Sequence, residues 1–324
     1  MLKIAHLSDP HVNLKFHPTH HLRLRNVLIH AIEEEKVDHI VITGDLTSNA
    51  DQRDLLACRK LFKELDLLHP ERLSLVVGNH DIYGGPHLAE DLLAFPGRCR
   101  SRDYDLHLKI FYEYFAETFR GTHGGVMPYA KILGPVALLG LNSIARAGAI
   151  KNPVGSNGRI SVEDMKKLRE LLALQEVLDA EHRIVLMHHH LFRRHDPENN
   201  HTYPGARRMV WRIEDETLRF RGKREFIELL KEGDVETVLH GHLHYTSEGD
   251  TKGIRCINGG GAVYPMNPEA GLSYNLLKVE NQDISVEIVR VSGGVRKTSK
   301  FGRHLKTGRA LRQLRHNRGL VEKV

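Results

Sequence analysis

Five short polar clusters in this chain each follow directly on an apolar run, and each is rich in side chains that bind metals. They are Asp9-Pro10-His11, Gly44-Asp45, Gly78-Asn79-His80-Asp81, His188-His189-His190 and Gly241-His242-Leu243-His244. Imidazole, carboxylate and amide oxygen are common ligands of divalent cations. Two such cations about 3.5 to 4 Å apart clamp the attacking and leaving oxygens of a phosphoryl group. That chemistry needs several His and carboxylate ligands and one group that bridges the ions. Asp9 and His11 are two apart, so in an extended segment both point to one side and can grip one ion. Asp45 has two oxygens and can bridge. Asn79 offers a neutral amide oxygen. His188 and one or both of His242 and His244 complete the shells with imidazole. Gly44, Gly78 and Gly241 allow tight backbone turns just before these ligands.

The runs that precede the clusters are Leu2 to Leu7, His39 to Thr43, Leu73 to Val77, Ile184 to Met187 and Val235 to Leu239. All five read as buried strands. Ligands of an open α/β sheet bind beyond the carboxyl ends of its strands, so the five clusters are expected on one rim. Helical periodicity from about His20 to Glu35 and from Asp51 to about Leu68 separates the first three strands. This alternation predicts right-handed crossovers and largely parallel pairing. Residues 82–104, with Gly84-Gly85-Pro86 and Pro96-Gly97, read as a loop. Asp105 to Phe119 reads as a helix. Tyr129 to Leu133 and Val136 to Leu141 read as two strands joined at Gly134-Pro135, and 148–158 as a loop. Ser161 opens a helix that extends through Leu178. Further short strands follow up to Val291, and Leu305 to Leu320 patterns as a basic helix.

The 324 residues carry a formal charge of +6. Residues 291–324 hold ten Lys or Arg against one acidic residue, and the remainder holds thirty-seven against forty. The basic character therefore belongs to the C-terminal segment, and it does not mark the body of the protein as a nucleic-acid binder. A solvated tail is the simplest reading of that segment, with an anionic partner as the alternative. Cys58, Cys99 and Cys256 are odd in number and far apart, which argues against a disulfide framework and for a reducing, cytoplasmic setting. No run approaches the roughly 20 apolar residues of a membrane span. The first residues enter a strand pattern at once, without the layout of a signal peptide.

Taken in order, D-x-H, G-D, G-N-H-D, H and G-H-x-H resemble the calcineurin-like metallophosphoesterase superfamily over about residues 1–290. Order and context look most like its bacterial class III cyclic-nucleotide phosphodiesterase and glycerophosphodiesterase branch. The resemblance implies an α/β fold, a four-layer α/β/β/α sandwich of two mixed sheets, with a dinuclear metal site at the strand C-terminal ends. It implies one domain over 1–291, followed by a basic tail over 292–324. It assigns Asp9, His11 and His244 to one ion, Asn79, His188 and His242 to a second, and Asp45 to both, the pair being Mn, Fe or Zn. The family often has proline after a His pair where this chain has His190, which leaves His188 and His189 as alternatives for the second ion. A hydroxide between the ions would attack phosphorus, and His80, oriented by Asp81, would assist the leaving group. His189, Arg193 and Arg194 are candidate substrate contacts. The implied activity is hydrolysis of a small phosphoester, a phosphodiesterase ahead of a phosphomonoesterase or nuclease. An interaction module with a retained metal site is the reading from another class. The natural substrate and the oligomeric state are not legible at this level.

Overall fold

The computed structural model describes residues 1–87, 89–191, 220–263, 271–281, 283–291 and 297–301. In chain order the first half runs β1 (Leu2–Leu7), α1 (Thr19–Ile29), β2 (His39–Thr43), α2 (Gln52–Glu64), β3 (Leu73–Val76), the short α3 (Asn79–Ile82), α4 (Ala89–Ser101), α5 (Tyr104–Tyr114), β4 (Tyr129–Leu133) and β5 (Val136–Gly140). It continues with β6 (Gly158–Arg159), α6 (Val162–Leu172), α7 (Gln175–Asp179), β7 (His182–Leu186), β8 (Phe220–Arg221), α8 (Lys223–Glu232) and β9 (Thr237–His240). The last strands are β10 (Thr246–Thr251), β11 (Ile254–Gly259), β12 (Leu272–Glu280), β13 (Asp283–Val291) and β14 (Lys297–Phe301).

Twelve of these strands build two six-stranded mixed sheets, ordered β14-β13-β12-β1-β2-β3 and β10-β11-β9-β7-β5-β4, and β6 pairs with β8 in a separate two-stranded parallel sheet. The first is parallel across β1, β2 and β3 and antiparallel from β1 through β12 to β14. The second is parallel from β11 to β5, with antiparallel edges. Successive strand residues point to opposite faces, and the second sheet shows this directly. Leu138, Ile184, Leu186, Leu239 and Ile257 join the core shared with the first sheet. Their neighbours Ala137, Leu139, Val185, Val238 and Cys256 pack instead with Leu168 and Leu171 of α6, Val177 of α7 and Phe226 of α8. On the far side, Leu24 and Val27 of α1 and Leu61 and Phe62 of α2 cover the first sheet. The four expected layers are all present.

Two local expectations change. Residues 82–104 are not a continuous loop, because Ala89–Ser101 is a helix with Pro96 inside it. A proline in a helix interior costs about 3 kcal/mol, but Phe95 and Cys99, one turn apart on one face, are both buried in the core. Burying the Phe95 ring is worth about 1.5 to 3 kcal/mol, and Cys99 adds to it, which offsets most of the cost of the proline. The helix after Ser161 is also interrupted, ending at Leu172 and resuming at Gln175. Its opening is as expected, with the Ser161 hydroxyl accepting from the Asp164 N–H at 3.0 Å. β14 pairs antiparallel with β13 at the edge of the first sheet. The basic helix read over Leu305 to Leu320 lies outside the described residues. Among the described residues no helix is long and apolar enough to cross a membrane.

Candidate metal centre

All five clusters lie just past strand ends: β1, β2 and β3 of one sheet, β7 and β9 of the other. The loops after β1 and β2 run side by side. Asp9 N–H donates to the Gly44 carbonyl (3.2 Å), His11 N–H to that of Asp45 (3.0 Å) and Val12 N–H to that of Leu46 (2.9 Å). The Gly241 N–H bonds the His188 carbonyl at 3.0 Å, which ties the two clusters of the second sheet together. The backbone here departs from the expected extended form. Asp9 (φ 52°), His11 (φ 46°), Asp45 (φ 48°), His242 (φ 74°) and His244 (φ 53°) are all left-handed. Asp9 and His11 therefore converge through a coiled loop and not through strand alternation. Two glycines are required by close approach. A Cβ on Gly78 would lie 2.0 Å from the Asp45 nitrogen, and one on Gly241 would lie 1.7 Å from Ser8 Oγ and 2.5 Å from Asp9 Oδ2.

The side chains gather into two groups with the geometry to hold an ion: Asp9, His11, Asp45 and His244, and Asp45, His188 and His242. Asp45 belongs to both. Its Oδ1 accepts from the His80 N–H at 2.7 Å. Its Oδ2 is buried with no hydrogen-bond partner, 3.6 Å from His11 Nε2 and 3.3 Å from His188 Nε2. In the first group His11 Nε2 and His244 Nε2 approach to 3.0 Å, and His244 Nε2 lies 3.4 Å from Asp9 Oδ1. In the second, Asn79 Oδ1 is 3.0 Å and His242 Nδ1 3.1 Å from His188 Nε2. Facing lone pairs around an orphaned carboxylate oxygen fit a pair of cations, and buried His242 Nε2 is likewise without a partner.

Electrostatics point the same way. Burial penalises the Asp45 carboxylate, yet His188 and His80 hold it well below the usual carboxylate range. Burial works against a charged His188 as well, but Asp45 outweighs it and raises the ring to about 9. Burial and the neighbouring His244 push His11 well below the ordinary imidazole value. Burial, with His189 and His188, does the same to His242. A strongly anionic Asp45 thus holds positive charge on His188, while burial keeps His11 and His242 neutral.

The structure separates the histidines of the 188–190 run. The His188 Nδ1–H donates to the Thr43 carbonyl at 2.9 Å, which turns Nε2 toward Asp45 and Asn79. His189 does not fit the expected substrate contact. Ser143 Oγ accepts from the N–H groups of His188 and His189 at 3.2 Å and donates to His189 Nδ1 at 2.9 Å. The His189 Nε2–H donates to the Ser156 carbonyl at 3.1 Å, and the residue is fully buried. Asp81 does not orient His80 either. Its carboxylate accepts from the N–H groups of Leu46 (3.2 Å), Thr47 (2.8 Å) and Gly78 (2.9 Å), and from the Thr47 hydroxyl (3.1 Å). Burial, then the nearby Asp45, pushes this carboxyl up to about 7. The group that steers His80 is the Ser48 carbonyl, which accepts from Nδ1–H at 3.2 Å. Arg193 and Arg194 lie outside the described residues. Ser143 and the Ser48 carbonyl are positioning groups that no motif flagged. Ser143 at least follows the apolar run ending at Leu141, the same signal that marked the five clusters.

Comparison with known proteins agrees with this architecture. The family model for calcineurin-like phosphoesterases matches residues 2–246, so the chain belongs to that family. Family and site together define a metal-dependent phosphoester hydrolase. A dimetal phosphatase from Danio rerio is similar in fold, with TM-score 0.55 and 13% identity over 93% of this chain and 99% of that one. So is a purple acid phosphatase from yellow lupin (Lupinus luteus) seeds, with TM-score 0.56 and 13% identity over 91% of this chain. Here the match spans only 52% of the lupin protein's length. No curated protein matches the sequence.

Proposed function

We propose that this chain is a phosphodiesterase acting on a small nucleotide or glycerophosphodiester at a dinuclear centre. Asp9, His11 and His244 hold one ion, Asn79, His188 and His242 the other, and Asp45 both. The observation that carries the reading is Asp45 Oδ2, buried, unpartnered and flanked by His11 and His188. Bound there, a pair of Mn, Fe or Zn ions supplies Lewis acidity at the phosphoryl oxygens and a water acidified to near neutral pH. The chain's own part begins with His80. Its N–H fixes Asp45, and its Nδ1–H is committed to Ser48. Nε2 is then the nitrogen that passes a proton to the leaving alkoxide when the ring is an imidazolium. Asp81 acts one step back, pinning the loops after β2 and β3 so that Asp45 and His80 keep their places.

The diester preference draws on the motif order, which resembles the class III branch. The competing reading is a phosphomonoesterase on the same centre. Assays of the Mn-, Fe- and Zn-loaded protein on bis(p-nitrophenyl) phosphate, p-nitrophenyl phosphate and DNA separate them. Preferred cleavage of the diester is expected. A strong monoester preference overturns the diester assignment, and inactivity on every ester at full metal occupancy returns the protein to the class of interaction modules.

A further inference from the structure

Two loops meet at one edge of the His80 ring. The first follows β2, and its Ser48 carbonyl accepts from the His80 Nδ1–H at 3.2 Å. Ser48 is buried and is itself tied to the first ligand group. Its hydroxyl donates to the His11 carbonyl at 3.0 Å and its N–H to the Val12 carbonyl at 3.2 Å. The second is the chain leaving α3. There the Tyr83 N–H donates to the Asn79 carbonyl at 2.8 Å and the Gly84 N–H to the His80 carbonyl at 3.1 Å. Gly84 then turns the chain through the left-handed region (φ 70°). Tyr83 locks that turn, its hydroxyl donating to the Ala145 carbonyl at 3.0 Å and accepting from the Ala147 N–H at 2.7 Å.

The turn lays Gly85 against His80. A Cβ on Gly85 would lie 2.4 Å from His80 Cε1, 2.7 Å from Nδ1 and 3.7 Å from Nε2. The three atoms nearest to that position all belong to the His80 ring, so the ring claims the space a side chain at 85 would take. The same ring meets that of His11 edge to face, with centroids 4.8 Å apart. A sideways shift of His80 is therefore a shift relative to the first ligand group.

We propose that Gly85 is a positioning residue for the proton donor. With the Ser48 carbonyl it clasps the Cε1–Nδ1 edge of His80, which keeps the proton on Nδ1 and leaves Nε2 to meet the leaving group. The role rests on the hydrolase reading and deepens it, whereas the clasp itself is a matter of geometry. Ordinary contact begins near 3.4 Å, so an alanine at 85 must drive the ring and the chain apart by about 1 Å. A misplacement of that size costs about a hundredfold in rate.

The test is a double-mutant cycle on the full chain loaded with Mn. Gly85→Ala should keep two Mn per chain. It should lower kcat about a hundredfold on ethyl phenyl phosphate and less on ethyl p-nitrophenyl phosphate, whose leaving group needs no proton. It should also lower Tm by about 2 to 4 °C through overpacking. On a His80→Ala background the same change should cost neither rate nor Tm, because the ring it strikes is gone. Losses that add in the double variant overturn the clasp. If Gly85→Ala alone does not fold, His80→Ala should restore folding, and failure to do so also overturns it. A third measurement needs neither catalysis nor a change at 85. In the zinc-loaded chain with ¹⁵N-labelled histidine, the His80 resonances, assigned as those His80→Ala removes, should show the Nδ1–H tautomer; an Nε2–H tautomer overturns the clasp. The Nδ1–H tautomer and a non-additive Tm cycle, with no ester cleaved by the wild type, support the clasp and defeat the hydrolase reading. Ester cleavage by the wild type with additive Tm losses overturns the clasp and leaves the hydrolase reading intact.

Discussion

Asp45→Asn isolates the charge at the shared position from everything else the residue does. Asparagine is nearly isosteric, and its amide oxygen can still accept the 2.7 Å bond from the His80 N–H. What is lost is the anionic oxygen 3.6 Å from His11 Nε2 and 3.3 Å from His188 Nε2. A ligand present at a hundredfold excess over its Kd stabilises the native state by about 2.7 kcal/mol. Unfolding entropy of about 2.1 cal/mol/K per residue, over 324 residues, gives roughly 0.7 kcal/mol/K. One bound ion should then raise Tm by about 4 °C and two by about 8 °C. Because Asp45 serves both groups, the variant should lose both increments together. Asn79→Ala should lose only one. Scanning calorimetry during Mn titration, with elemental analysis of the dialysed protein, measures both quantities. A full rise with two Mn per chain in Asp45→Asn would refute the shared role. A rise of half that size, with one Mn kept, would assign Asp45 to a single ion.

Three further outcomes are expected. His80→Ala should keep both metals and slow turnover by about 10²- to 10⁴-fold on alkyl leaving groups but less on p-nitrophenolate; an unchanged dependence of kcat on leaving-group pKa would remove His80 from proton transfer. Gly241→Ala drives a Cβ to 1.7 Å from Ser8 Oγ, so it should lower Tm by an overpacking penalty of about 1 to 3 kcal/mol and weaken Mn binding by the Asp9 group; wild-type Tm and metal content would count against that fit. Burial lowers the ammonium of Lys131 from its ordinary 10.5 to about 7, so between these values the unfolded chain holds more protons and stability rises with pH. Lys131→Met should therefore stabilise the protein at pH 7 by roughly 3 kcal/mol, after allowance for the lost bond to the Leu73 carbonyl, and the gain should fade toward pH 10 in urea titrations; a pH-independent difference would show that the ammonium carries no burial penalty.

The chemistry was legible in the sequence because metal ligands are few in kind and sit where strands end. Apolar runs mark the strands, and the polar residues just beyond them mark the rim. What depends on distant partners was not legible. His188 and His189 are alike in sequence, and only the Thr43 carbonyl on one side and Ser143 with Ser156 on the other decide which ring turns inward. Asp81 follows His80 directly, which suggests a pair, but its oxygens are claimed by N–H groups of the neighbouring loop. Pro96-Gly97 looks like a loop until Phe95 and Cys99 are seen to be buried. In each case tertiary burial or a remote hydrogen bond overrode a local signal.

The left-handed backbone at Asp9, His11, Asp45, His242 and His244 bears on how the centre forms. A side-chain-bearing residue in that region costs about 1 kcal/mol or more, although Asp and His enter it more readily than most. Such conformations persist only where the surroundings over-determine them. Here the paired loops after β1 and β2, the Gly78 and Gly241 contacts and the Asp81 carboxylate supply that constraint. None of these groups needs an ion to act. This network of contacts predicts ligand shells built by the protein fold, so that binding an ion should require little reorganisation of the chain. The metal-dependent rise in Tm should accordingly arise without a change in far-UV circular dichroism. A large gain in secondary structure on adding Mn would mean that the ion, and not the strand-end loops, organises the site.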